Sequence, residues 1–317
     1  YDGQFYAQLA TDPSLQKEEF ITAIDTPSMR SRRILLPTLA YFLGFGQPAW
    51  ILQVYAALNL FFWFLLAALV KEFLPEDPSH WRQFSRWFGI LFSLGALESV
   101  RLALLDLPSL VFILLAIRAW KKNQEKTGSG WALAALFTRE TSILAMAGFS
   151  KLETFQKKPW LHGLATGFFL LGLYSLWLYY IHLRFTPHAG TSGNIDWPFS
   201  ALLASTQTAL QALANGRWDT PRYYGGVLAA IGFSFQCFYL LVKWDWKNPL
   251  WRVGILYGLL VIMLGTEQWK GIWAPARVGL PLTFVFNCYL PRNLWFYPCW
   301  WLGNGMFLVG FIRFLWN

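Results

Sequence analysis

The stretch Ala49–Val70, AWILQVYAALNLFFWFLLAALV, contains no charged residue. As an α-helix rising 1.5 Å per residue it would be about 33 Å long, enough to cross a hydrocarbon core of about 30 Å. The stretch therefore predicts a transmembrane helix, and the rest of the sequence can be interpreted from it.

The composition of the whole chain agrees with a membrane protein. Its 317 residues are 56% hydrophobic and 14% charged, whereas soluble domains carry about 25% charged residues. We expect an all-α, polytopic transmembrane helical bundle, with residues 1–317 as one transmembrane domain. Further spans are predicted at Trp160–Leu183, Tyr223–Val242, Trp251–Leu264, Val278–Leu290 and Trp295–Trp316.

Two apolar stretches carry charges near their middle and predict short or broken helices. Trp87–Trp120 is too long for one span and contains Asp106. Trp131–Phe149 has Arg139 and Glu140 at its centre. Because charge in the middle of a membrane is costly, we expect each stretch to form two short helices that meet at a polar turn, the first turn at residues 106–108.

The distribution of charge predicts the orientation. One set of connecting segments holds 14 Lys and Arg against 6 Asp and Glu, a net +8, while the other holds 11 of each, a net 0. Basic loops face the cytoplasm. Residues 1–33, with juxtamembrane helices, and the long loop 184–222 are therefore expected outside. The basic set comprises residues 71–87, 118–130, 150–160, 243–252 and 291–294.

Several other classes are disfavoured. The net charge of +9 contains no dense basic run that would indicate nucleic-acid binding. The three cysteines and four histidines show no disulfide or zinc spacing. The chain begins abruptly without a methionine, so we expect that a further N-terminal span precedes it.

The first six residues, YDGQFY, are the main candidate site. Asp2 lies between aromatic residues, Tyr1 and Tyr6, with Gln4 close by. Aromatic rings stack on sugar rings, and a carboxylate binds hydroxyl groups or acts as a base. The alternative is that Asp2 only caps a surface helix.

Other polar residues have similar alternatives. Asp106 could cap the helix that follows it, and Arg139 and Glu140 could pair structurally. Arg33 and its neighbours Arg30 and Arg32 could extend to lipid phosphates or bind a lipid-linked phosphate. Glu267 and Arg277 lie in a loop on the predicted outer side, and Arg277 has the same two interpretations.

In its motifs the chain resembles the GT-C class of membrane glycosyltransferases, in particular bacterial relatives. The resemblance rests on YDGQFY and on four later motifs, whose order and placement are similar across most of the chain. These motifs are RRILLP at residues 32–37, LDLP at 105–108, TRET at 138–141 and ARVGLP at 276–281.

The resemblance implies a donor sugar on a polyprenyl phosphate, with Asp2 as catalytic base or metal ligand. We expect inverting transfer to a glycan, lipid or protein acceptor outside the cytoplasm, in a bacterial inner (plasma) membrane. Arg33, Arg139 and Arg277 would bind the leaving phosphate. The motif has one acid rather than a pair, so a divalent metal ion is only one option, and no metal ligands are assigned.

Two other functions remain open. A transporter or lipid flippase could use the same outward-facing cavity, but it should show interrupted helices in both halves. The predicted interruptions at Asp106 and Arg139 both fall in the first half, which favours the enzyme. A non-catalytic membrane assembly partner is the third possibility.

Overall fold

The computed structural model describes residues 2–17, 23–149, 159–185, 193–218 and 220–316. Regular structure in these ranges is helical, as predicted, apart from an isolated bridge between Ile195 and Leu264. The first helices are α1 Asp2–Thr11, α2 Pro27–Arg30, α3 Leu35–Leu43, α4 Pro48–Phe73, α5 His80–Leu91, α6 Leu94–Arg101, α7 Asp106–Lys121 and α8 Glu125–Thr138. After a 3₁₀ helix at Glu140–Phe149 come α9 Pro159–Arg184, α10 Ser200–Ala214, α11 Pro221–Val242, α12 Pro249–Met263, α13 Thr266–Trp269, α14 Trp273–Val278, α15 Leu280–Tyr289, α16 Phe296–Asn304 and α17 Phe307–Trp316.

Three helices are long and apolar enough to cross a membrane: α4, the Ala165–Arg184 part of α9, and α11. Their apolar faces are largely uncovered, as with Phe168 and Phe169 on α9, which are 72% and 65% exposed. An exposed apolar surface of this size is unfavourable in water but not in lipid. These helices therefore agree with the prediction of an integral membrane protein.

Three of the predicted spans correspond to helices that are too short to cross a bilayer alone. The helix predicted at Trp251–Leu264 is α12, with 15 residues, and the one predicted at Val278–Leu290 is α15, with 10. The span predicted at Trp295–Trp316 is divided between α16 and α17, which are separated by Gly305 and Met306. None of these helices reaches the roughly 20 residues that cross a bilayer alone.

The two predicted interruptions are present, at slightly different positions. Helices α6 and α7 are bent by 116° at a short break, but the turn lies before Asp106, which is the first residue of α7. The break at Arg139 separates α8 from a 3₁₀ helix rather than from a second α-helix.

Two connections predicted as loops contain helix. The predicted polar loop over residues 71–86 includes the first turns of α5, where the Ser79 hydroxyl caps the helix by accepting from the Arg82 amide at 3.4 Å. The predicted basic loop over 121–130 includes the start of α8 at Glu125.

The chain divides into two compact units, and two of the three boundaries fall within α4 and α6. The first unit contains residues 1–65 and 99–189. In it α1 packs against α3, and α7 packs along α8. Helix α7 is buried on nearly all sides, as expected for a helix without a polar face.

The second unit contains residues 66–98 and 190–317. Its α12 packs against α15, and an aromatic cluster surrounds Phe286. The buried amides of Asn287 and Asn304 bond to each other at 2.8 and 3.1 Å. Arg86 is fully buried, and it donates to the carbonyl oxygens of Asn287, Leu290 and Pro291 at 2.9 to 3.0 Å.

Candidate functional site

The YDGQFY segment forms the start of α1, and its glycine has a packing role. Asp2 lies in the first turn, while Tyr1 lies outside the described residues. Gly3 is buried, and a Cβ atom on it would lie 2.0 Å from the carbonyl oxygen of Leu102. Glycine therefore lets α1 lie directly against the chain at Leu102, which fixes the position of Asp2.

Arg30 holds the carboxylate of Asp2. Its Nη2 atom donates to Oδ1 of Asp2 at 2.9 Å, and it donates to Asp25 through Nε at 3.1 Å and Nη2 at 3.0 Å. The guanidinium also lies 5.0 Å from the centre of the Phe5 ring. The hydrogen bond from Arg30 is the main cause that lowers the pKa of Asp25. Arg30 is thus shared by two acids, one of which is the candidate base.

The hydroxyl of Tyr6 connects the Arg30–Asp2 ion pair to a second ion pair, which is formed by Arg33. Its hydroxyl accepts from Nη1 of Arg33 at 2.5 Å and from Nη1 of Arg30 at 3.5 Å. The ring is only 1% exposed. The expected role of Tyr6 as an open stacking face for a sugar is therefore not what the structure provides. Tyr6 instead positions two arginines.

Arg33 and Glu140 form the second ion pair. The Nε and Nη2 atoms of Arg33 donate to the two carboxylate oxygens of Glu140 at 2.8 and 2.5 Å. This fork geometry is the strongest arrangement available to an arginine and a carboxylate. The Nε and Nη2 atoms of Arg33 are therefore occupied by Glu140 and are not available to bind a phosphate.

The third ion pair joins Arg139 to Asp106. Asp106 is buried and is the first residue of α7, whose N-cap residue is Leu105, so Asp106 does not occupy the capping position. Arg139 and Glu140 do not pair with each other but with Asp106 and Arg33. Nearby, the hydroxyls of Ser109 and Ser142 are 2.7 Å apart and connect α7 to the 3₁₀ helix.

Arg32 differs from Arg30 and Arg33 in the contacts of its side chain. Within the described ranges it has no ion pair or hydrogen bond from its side chain, whereas Arg30 and Arg33 are both bound to acids. Arg32, Arg33 and Glu140 all interact electrostatically with the phenol of Tyr174. The Tyr174 hydroxyl is buried and has no hydrogen-bond partner among the residues that the structure describes.

The remaining predicted residues are divided between the units. Gln4 is exposed on α1 in the first unit. Glu267 and Arg277 belong to the second unit. Glu267 contacts Lys270 at 2.5 Å, and Nε of Arg277 donates to the carbonyl oxygen of Trp273 at 3.3 Å.

The residues do not fit a divalent metal ion. Among the described residues, no group of three or more His, Cys, Asp or Glu side chains is close enough to hold one. Three acids of the cluster lie beside arginines, since Asp2 and Asp25 contact Arg30 and Glu140 contacts Arg33. A second cation would be repelled there.

Sequence reasoning identified Asp2, Arg33, Asp106, Arg139 and Glu140, which the structure brings together in one unit as three linked ion pairs. It named Arg30 only as a possible phosphate contact and did not identify Asp25. The signal for them was available in the two basic residues beside Arg33 and in an acid five positions before Arg30.

Comparisons with protein-family models, with curated proteins and with solved structures found no match to this chain.

Proposed function

We propose that the chain is a membrane glycosyltransferase with a GT-C-like fold, acting at the extracytoplasmic face of a bacterial inner membrane. It would transfer a sugar from a polyprenyl-phosphate donor, with inversion, to a glycan, lipid or protein acceptor. The observation that carries the proposal is the carboxylate of Asp2, 35% exposed and held by Arg30 beside an arginine-rich cluster.

Asp2 would act as the general base. Its carboxylate would accept the proton of an acceptor hydroxyl while that oxygen bonds to the anomeric carbon. The bond from the anomeric carbon to the donor phosphate would break at the same time, and the phosphate would leave with the electron pair. Arg30 would keep the carboxylate oriented through its contact with Oδ1, and orientation of this kind contributes much of the rate enhancement of enzymes.

The leaving phosphate needs a cation, and Arg32 is the best candidate in the first unit. Arg33 and Arg139, which the sequence suggested for this role, already pair with Glu140 and Asp106. We therefore assign Arg33 and Arg139 to positioning and Arg32 to the phosphate. An arginine that stabilises charge as it develops on the leaving group accelerates the reaction. Tyr1 and Gln4 remain proposed substrate contacts of this unit.

The test is sugar transfer by the purified protein in proteoliposomes with a polyprenyl-phosphate sugar. Asp2→Asn keeps the shape of the side chain but removes the base, and should lower turnover by about 10²- to 10⁴-fold. The matched variant is Asp25→Asn, which weakens the other partner of Arg30 and should cost much less. Equal losses in both variants would mean that Asp2 only positions Arg30, and normal turnover by Asp2→Asn would exclude it from the mechanism.

A transporter or flippase is the second candidate, and one observation favours it. The sequence placed interrupted helices only in the first half, yet α13 to α15 are short and α16 and α17 are separated at Gly305 and Met306. Interruptions in both halves are typical of transporters. A labelled donor sugar would be recovered covalently on an acceptor for a transferase, but unchanged across the bilayer for a transporter.

A further inference from the structure

The second unit contains a cavity of about 250 Å³ that no role proposed above uses. It lies between α10 and α11, and the segment around α13 also lines it. Small side chains create the space, since Ala201, Ala204, Ala209, Gly226 and Gly271 all line it. The volume suits a small organic group rather than a single ion.

The charged residues of the lining are cations. Arg222 and Lys270 both line the cavity, and no acidic side chain does. Lys270 contacts Glu267 at 2.5 Å, but the two side chains are 64% and 52% exposed. Ion pairs as exposed as this one contribute little to stability, so Lys270 can turn to another anion at little cost.

Hydrogen-bond donors add to the positive potential. Trp269 lines the cavity and is buried, and its Nε1 atom has no acceptor in the described part of the protein. A buried N–H without an acceptor is rare and costly. The cavity also meets the first turn of α11, since Arg222 and Tyr223 line it. The N-terminus of a helix attracts anions through its free amides and its dipole.

We propose that this cavity binds a phosphate ester. The phosphate would lie between Arg222 and Lys270 at the start of α11, and its organic group would occupy the space beside Tyr223 and Trp269. Phosphate suits the site because its several oxygen atoms can accept from two cations and from N–H groups together. The ester could be a soluble metabolite or the headgroup of a lipid, since α11 is long and apolar enough to cross a membrane. The proposal rests on the second unit alone and does not depend on the transferase activity.

The experiment measures binding to the full-length protein, in detergent with glycerol 3-phosphate and in nanodiscs with phosphatidylglycerol or phosphatidylcholine. Thermal unfolding and native mass spectrometry give the readouts, because a ligand that binds only the folded state raises Tm. The variants are Arg222→Gln and Lys270→Gln, and the matched control is Arg217→Gln, which removes the same charge from an exposed residue outside the cavity.

We expect Arg222→Gln and Lys270→Gln each to weaken binding about tenfold, as for the loss of one charge-assisted contact, while Arg217→Gln leaves it unchanged. Tm without ligand should be similar in all variants, because Arg222 and Lys270 are exposed. Binding of glycerol 3-phosphate would identify a soluble ester, and retention of phosphatidylglycerol alone would identify a lipid. Absence of binding in both arms, or equal losses in the control, would overturn the proposal.

Discussion

Arg33 and Glu140 are 107 positions apart in the sequence, yet both carboxylate oxygens of Glu140 accept from the guanidinium of Arg33, at 2.8 and 2.5 Å. The two side chains are 12% and 29% exposed. The pair fastens the polar N-terminal segment to the 3₁₀ helix of the same unit. Removing one partner would leave the other poorly solvated and without its counter-charge.

We expect Glu140→Gln to lower the free energy of unfolding by about 3 kcal/mol, the usual cost of breaking a buried ion pair from one side. Arg33→Gln should cost a similar amount, and the double variant less than the sum of the two. Chemical denaturation in detergent micelles measures all three. Glu267→Gln is the control, because its exposed partner Lys270 should make the change nearly neutral. Additive effects of Arg33 and Glu140 would contradict the pairing.

Gly3→Ala should destabilise the protein by about 1–3 kcal/mol or more, as overpacking does. Its new Cβ would lie 2.0 Å from the carbonyl oxygen of Leu102, which is backbone and cannot rotate away. Gly130→Ala is the control, since a Cβ there would meet nothing within 4 Å. In an exposed helix this change should stabilise by up to about 1 kcal/mol. Thermal unfolding of the two variants compares them, and similar Tm changes would contradict the close packing of α1.

The stability of the second unit should depend on pH through Asp77. Hydrogen bonds from Arg82 are the main cause that lowers the pKa of Asp77 from its usual 3.8. A carboxyl with a lower pKa in the folded state stabilises above the unfolded value, and this contribution is lost as the pH falls through the folded one. The Tm advantage of the wild type over Asp77→Asn should therefore shrink below pH 3.8. A difference in Tm that stays constant across that range would contradict the role of Asp77.

Labelling with a membrane-impermeant thiol reagent tests the orientation. In a variant without the three native cysteines, a cysteine at Trp197 should react from outside and one at Gln124 should not. The reason is the net +8 of the segments predicted to be cytoplasmic, against 0 for the others. Both positions are exposed, so burial alone would not block the reagent. The reverse pattern would move Asp2 to the cytoplasmic side.

Helices and breaks could be predicted from the sequence where a single physical effect determines their position. Long apolar runs predicted α4, α9 and α11, because the hydrocarbon core demands that length. Charges inside apolar stretches predicted the breaks before Asp106 and at Arg139. The length of α15 was less predictable, because this short helix is stabilised by packing against α12, which hydropathy does not report.

The pairing of charges was not predictable from the sequence. Arg139 and Glu140 are adjacent, so a local pair was the simplest expectation, but adjacent residues on an extended backbone point in different directions. Their partners, Asp106 and Arg33, come from distant segments. The contact of Gly3 with Leu102 was likewise not predictable, because the two residues are far apart in the sequence.

The short helices also have a consequence for biogenesis. A segment of 10 residues such as α15, or of 15 such as α12, is too short to leave the translocon and settle in lipid by itself. Since α12 and α15 pack together, we expect α12 to settle in lipid only after α15 has been synthesised. Insertion of the second unit is then a cooperative event late in translation, and a nascent chain that stops before α15 is expected to be recognised by quality-control proteases.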